Sequence, residues 1–209
     1  MRQLPVAEIV RLATAPIVKG VTVDLTALEI AEPLDLSGKT LGNLDFSGSH
    51  FLAPVTFRNA LFQGLAWFKN CCFSSALDAA GATFANDLRM KGATFATAVV
   101  LSRAELHGVF DLDNATFEDR ADLDGIVCFG NASMAGTRFL APVTLQGSEL
   151  LGGLWCQGTR FAHRTDFRGV EVHGRTWLKG VQLPASEPVA GPARRDPARD
   201  IQSYGYRWS

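Results

Sequence analysis

Tyrosine is almost missing from this chain: Tyr204 and Tyr206 are the only two in 209 residues, set against 14 phenylalanines. No apolar run approaches the roughly 18 residues of a membrane-spanning helix. The start of the chain carries Glu8 and Arg11 inside its apolar stretch, which suits a secretory signal poorly. The four cysteines, Cys71, Cys72, Cys128 and Cys156, form no CxxC pair, and no histidine pair lies near them at zinc spacing. Free, mostly packed thiols in a reducing cytoplasm are therefore expected. An excess of either charge is also lacking: 20 Lys and Arg face 21 Asp and Glu, a net of -1. That disfavours a generally basic nucleic-acid binder and a strongly acidic DNA mimic. There is no Walker loop and no GxGxxG after a strand. His50, His107, His163 and His173 are scattered, and none pairs in sequence with a Ser or Cys nucleophile. The expectation is a chain with no enzymatic chemistry, no metal site and no cofactor.

What the sequence has is a repeat. From Phe46, alternating steps of five and six residues reach Phe51, Phe57, Phe62, Phe68, Phe73, Ala79, Phe84, Met90, Phe95 and so on to Leu183. All 26 positions visited are apolar. The residue two before each is small or apolar as well, as at Val55, Ala60, Ala82, Leu88, Ala93, Ala104, Ala115, Val143 and Thr159. Residues two apart share one side of an extended chain, so each unit is a very short strand with two inward side chains. Two residues after every second large position comes Gly or Asn in twelve cases of 13, which suits a corner needing positive φ. Arg103 is the exception, and a distorted corner is expected there.

An eleven-residue unit of this kind cannot bury its own apolar face, whereas stacked coils can. The units Gly81-Ala82-Thr83-Phe84, Gly92-Ala93-Thr94-Phe95 and Asn114-Ala115-Thr116-Phe117 resemble those of the pentapeptide-repeat family, in its FxGATF-like variant. The resemblance covers about residues 34–183. It implies an all-β fold, a right-handed four-sided parallel β-helix, here with 22 residues per coil. It also implies a protein that works by binding.

Residues 1–33 are expected to cap the solenoid, with a short amphipathic helix across residues 5–18 interrupted at Pro16 and a first strand at Val21, Val23 and Leu25. Residues 34–183 form the β-helix. Residues 184–209 read as a flexible linker with Pro184, Pro188, Pro192 and Pro197, ending in a short aromatic tail. Two outward carboxylate columns, Asp78, Asp122, Asp166 and Glu105, Glu149, Glu171, are expected to serve solubility. Cys72 is the one cysteine in an outward register.

Two groups of aromatics are the candidate sites. Trp67, Trp155 and Trp177 each precede a large inward position and are separated by multiples of 22, so they fall in one outward column. Tyr204, Tyr206, Arg207 and Trp208 close the chain. The column either binds, or merely stiffens its face, or is covered by the tail. The tail itself is expected either to dock on a protein partner or to be presented to a tail-modifying oxidative enzyme. That layout is similar to precursors of ribosomally made modified peptides: folded leader, linker, aromatic core segment. The alternative is binding to DNA gyrase or another topoisomerase by duplex mimicry, as in quinolone-resistance relatives. Neither reading involves direct nucleic-acid contact or a membrane.

Overall fold

The computed structural model describes residues 1–18, 20–184 and 200–208. They build a parallel β-solenoid of about seven turns with four sheets. Face I runs from Val23–Asp24 to Arg207–Trp208, face II from Glu29–Ile30 to Arg160–Phe161, face III from Leu34–Asp35 to Thr165–Asp166, and face IV from Thr40–Leu41 to Ile201–Ser203. The strands are two or three residues long. A strand that short has no stability of its own. It persists because backbone bonds tie it to the coils before and after, as Phe84↔Phe62 and Phe84↔Leu106 illustrate.

The register is the 22-residue coil, seen in pairs such as Cys72↔Thr94 and Thr83↔Leu61. Only the first coil is shorter: Val23 pairs with Leu44, a step of 21, whereas Leu44 pairs with Ala66, a step of 22. The named strands thus start at Val23, ahead of Leu34.

Every position of the five-and-six walk from Phe46 to Leu178 is buried, and Leu183 is partly so. The phenylalanines of face II form a continuous stack. Centroids lie 4.5 Å apart for Phe51–Phe73, 5.0 Å for Phe73–Phe95, 4.6 Å for Phe95–Phe117, 4.7 Å for Phe117–Phe139 and 5.2 Å for Phe139–Phe161. The strand spacing of a β-sheet is about 4.8 Å, so the sheet dictates the ring separation. This explains the demand for Phe over Tyr: a hydroxyl in the stack would be buried without a partner. Several of the small buried polar positions are satisfied from the coil below. Thr137 Oγ1 donates to the Leu112 carbonyl at 2.7 Å, Thr159 Oγ1 to Met134 at 2.6 Å and Ser148 Oγ to Leu123 at 2.9 Å.

All thirteen corner positions singled out by the repeat have positive φ. Arg103 is among them, at +59°, beside Asn59 at +52° and Asn114 at +58°. Its corner closes with the ordinary bond, Ala104 N–H to the Leu101 carbonyl at 3.0 Å. The distorted corner expected there is absent; stacking on both sides imposes the backbone whatever residue occupies it.

The N-terminal end is closed by helix α1, Val6–Ala13, which buries Ile9 and Ala13 on the core. It stops before Pro16. Ahead of it, Arg2 pairs with Leu28 and covers the free edge of face II, which would otherwise invite another strand.

The C-terminal end corrects the expectation of a free tail. Ile201–Ser203 adds a strand to face IV, and Arg207–Trp208 adds one to face I. Ile201 is 3% exposed and belongs to the core. The pairs Val170↔Ile201 and Thr176↔Arg207 show a step of 31 in place of 22. The chain therefore makes one more half-coil, on two faces, after a detour. The linker prolines Pro188, Pro192 and Pro197 lie outside the described residues.

Candidate functional site

The corner between faces IV and I is built from a column of glycines: Gly108, Gly130, Gly152, Gly174 and Gly205. A Cβ at Gly205 would stand 2.2 Å from the Gly174 carbonyl oxygen, and one at Gly174 would stand 2.2 Å from that of Gly152. Backbone passes over backbone here, and nothing larger fits. Three residues past such a glycine comes the outward position of face I. Four times that residue is tryptophan, in Gly64-Leu65-Ala66-Trp67, Gly152-Gly153-Leu154-Trp155, Gly174-Arg175-Thr176-Trp177 and Gly205-Tyr206-Arg207-Trp208. These are all four tryptophans of the chain. The terminal Tyr-Gly-Tyr-Arg-Trp is thus a coil segment in the register of the solenoid. The spacing of these glycines and tryptophans was a signal available in the sequence, and it places the tail without any structure.

Trp155, Trp177 and Trp208 occupy adjacent strands. Trp177 and Trp208 stack with centroids 4.9 Å apart and planes at 29°. Tyr206 joins them, 5.9 Å from Trp208. The Trp155 ring lies back over Gly153, whose Cβ would meet it at 2.8 Å. Trp67 shares the column but sits coils away, under Lys69, whose Nζ is 4.5 Å from its ring. The structure therefore gathers Trp155, Trp177, Tyr206 and Trp208, and leaves Trp67 out.

Around the corner, Tyr204 stacks on His173 at 4.9 Å. The imidazole lies 3.2 Å from Glu149 and 3.7 Å from Glu171. Gln202 Nε2 donates to the Tyr204 hydroxyl at 2.7 Å, and that hydroxyl lies 3.5 Å from Glu171. Burial, followed by the nearby Glu171 charge, raises the Tyr204 pKa. His173 is thus a docking contact for the tail. Tyr204, Gly205 and Tyr206 line a shallow cavity of about 280 Å³. Tyr206 is 77% exposed and Tyr204 56%.

The carboxylate column on face III has a structural use. Asp78 Oδ1 accepts the Ala80 N–H at 3.0 Å, Asp122 the Asp124 N–H at 3.1 Å and Asp166 the Arg168 N–H at 3.1 Å. Each carboxylate holds the corner that follows it. Among the described residues no group of three or more His, Cys, Asp or Glu is placed to hold a metal ion. No helix there is long and apolar enough to cross a membrane. Burial pushes the Cys71 and Cys156 thiols up to about 12 and Cys128 up to about 11, while Cys72 is half-buried on the outer side of face II. Neither protein-family models nor curated proteins return a match to this chain.

Proposed function

We propose that this chain is a non-enzymatic, cytoplasmic scaffold of the pentapeptide-repeat kind that binds a protein partner through the aromatic end of its solenoid. The observation that carries this reading is the Trp177–Trp208 stack with Tyr206 beside it, 77% exposed at the last coil. Core packing accounts for the buried phenylalanines, but not for large aromatic rings left in solvent. Exposed Tyr and Trp clusters of this sort are where protein interfaces concentrate their binding energy. A presented tail that an oxidative enzyme modifies remains compatible with the exposure of Tyr206, but Tyr204 to Trp208 must then leave their strands first. The test is affinity capture from the native source with wild-type protein, Tyr206→Ser and, as a control on another face, Asp122→Asn. Loss of one specific partner with Tyr206→Ser alone supports the reading; equal recovery by all three overturns it. Mass spectrometry of the C-terminal peptide from the same preparation separates docking from modification.

A second reading, gyrase binding by duplex mimicry, draws on one acidic coil. Asp111, Asp113, Glu118, Asp119, Asp122 and Asp124 face only Arg120 across residues 111–124. Several of these carboxylates are already engaged: Asp111 and Asp122 hold turns, and Asp113 and Asp124 bridge to Ser133 and Thr144. A supercoiling assay with micromolar protein should show no inhibition; inhibition lost on neutralising Asp78, Asp122 and Asp166 would favour the mimic.

A further inference from the structure

Charge is segregated along the rod. Residues 1–130 hold ten Lys or Arg against 15 Asp or Glu, a net of -5, while residues 131–184 hold six against three, a net of +3. The three acids of that second stretch, Glu149, Asp166 and Glu171, sit on faces III and IV. Among the described residues, faces I and II of the last coils carry Arg138, Arg160, Arg175 and Lys179 and no Asp or Glu.

Five arginines elsewhere have carboxylate partners, while Arg103, Arg120 and Arg164 make no ion pair among the described residues. Arg2 pairs with Asp24, Arg11 with Glu8, Arg58 with Asp78, Arg89 with Asp87 and Arg168 with Asp166. Arg138, Arg160, Arg175 and Lys179 make no ion pair among the described residues. Arg138 and Arg160 are also direct cross-strand partners on face II, both exposed. Like charges placed opposite one another destabilise a sheet, and among the described residues no ion pair offsets them. Arg138 reaches only the Thr116 hydroxyl, at 3.0 Å. The indole stack Trp177–Trp208 lies on the adjoining face.

We infer that faces I and II at the C-terminal end dock an acidic, extended segment of a partner protein. This rests on the reading of that end as a protein-binding surface and adds the chemistry of what it recognises. Partner carboxylates would sit between Arg138 and Arg160 and near Arg175 and Lys179, while apolar side chains or prolines pack on Trp208 and Tyr206. The negative field of residues 1–130 repels the same segment from the rest of the rod, so the two halves together steer it to one end. A polypeptide suits this surface better than a nucleic-acid strand. The facing sides of Trp177 and Trp208 already cover each other, and a run of bases needs free ring faces on which to stack.

The experiment is a fluorescence titration of the full chain with a short synthetic peptide of alternating Glu and Pro, its Gln–Pro and Lys–Pro counterparts, and oligo-dT. The Glu–Pro peptide is expected to bind, to change tryptophan emission and to weaken as salt rises. Arg138→Glu with Arg160→Glu should reduce its affinity by about tenfold or more. Both side chains are exposed, so the fold is retained, and circular dichroism verifies this. Failure of the Glu–Pro peptide to bind, equal binding of the Gln–Pro peptide, or tighter binding of oligo-dT each overturns the inference. Capture of the native partner separates the two proposals. A partner lost with Tyr206→Ser but kept with the double charge reversal sinks this inference and leaves the protein-binding reading intact. A partner kept with both sinks that reading too.

Discussion

At Arg103 a long side chain stands on a backbone with φ of +59°, where a β-carbon costs roughly 1–2 kcal/mol. Arg103→Asn should therefore raise the melting temperature by a degree or more, since Asn already fills the same corner at residues 59, 70 and 114. Gly205 presents the opposite case. Its missing Cβ leaves room for the Gly174 carbonyl, so Gly205→Ala should release the last half-coil, read as faster hydrogen exchange across residues 201–208. The cysteines give a third expectation. In native protein at neutral pH, iodoacetamide should modify Cys72 alone, because the other three thiols are buried and hard to ionise. The sign for stability follows. A thiol whose pKa is raised on folding stays protonated while its unfolded counterpart ionises above about 8.5. The stability contributed by Cys71, Cys128 and Cys156 is thus complete below that pH. It declines as pH rises towards about 11 to 12. Denaturant midpoints measured between neutral and strongly alkaline pH check this; Cys71→Ala with Cys128→Ala and Cys156→Ala should flatten the decline.

The phenylalanine stack of face II is the element on which the solenoid depends. Phe84 stacks on Phe62 at 4.7 Å in the parallel column of face IV, and Phe84→Ala should cost about 3–5 kcal/mol because rings held by two flanking coils cannot collapse into the gap. A loss under about 1 kcal/mol would mean that the ring contributes little to the core. This part of the fold was legible in the sequence, and for a physical reason. Each coil repeats the same environment, so one periodic rule governs Phe46 through Leu178 at once. The last half-coil escaped that rule because its step is 31 residues and its core contribution is the single residue Ile201. Prolines nearby pointed to a linker, and counting apolar positions ended the core at Leu183. The recurring Gly-x-x-Trp would have found it, since that spacing reflects the crowded corner and not the apolar walk. The cluster of His173, Glu149, Glu171 and Tyr204 was not legible at all. It joins residues across the detour, and no local pattern encodes a contact between coils whose spacing has been broken. The grouping of Arg138, Arg160, Arg175 and Lys179 was equally hidden, because the net charge of -1 averages an acidic length against a basic end.

At the scale of the whole molecule, a solenoid must finish somewhere, and each end leaves four sheet edges and a cross-section of core. Helix α1 and Arg2 meet that need at the start. At the other end the tail covers two faces, burying Ile201 and laying Trp208 on Trp177. The segment that carries the exposed rings is therefore also part of the closure, so the proposed binding surface and the cap share residues. Sequence reasoning placed the tail outside the core, as a flexible segment whose loss would cost the solenoid little. The strand pairing leads to the reverse. Deleting residues 200–209 uncovers Val170, Val172 and Leu178, strips the free edges of faces I and IV, and should lower the melting temperature by several degrees. It should also promote end-to-end association, because bare edges of parallel strands beside exposed apolar side chains are templates for another chain. Size-exclusion chromatography with light scattering over a range of concentrations checks this directly. Tyr206→Ser supplies the contrast: its side chain stands in solvent, so it should change neither the melting temperature nor the oligomeric state while still weakening partner capture. A truncated protein that melts with the full chain and stays the same size would show that the half-coil closes nothing.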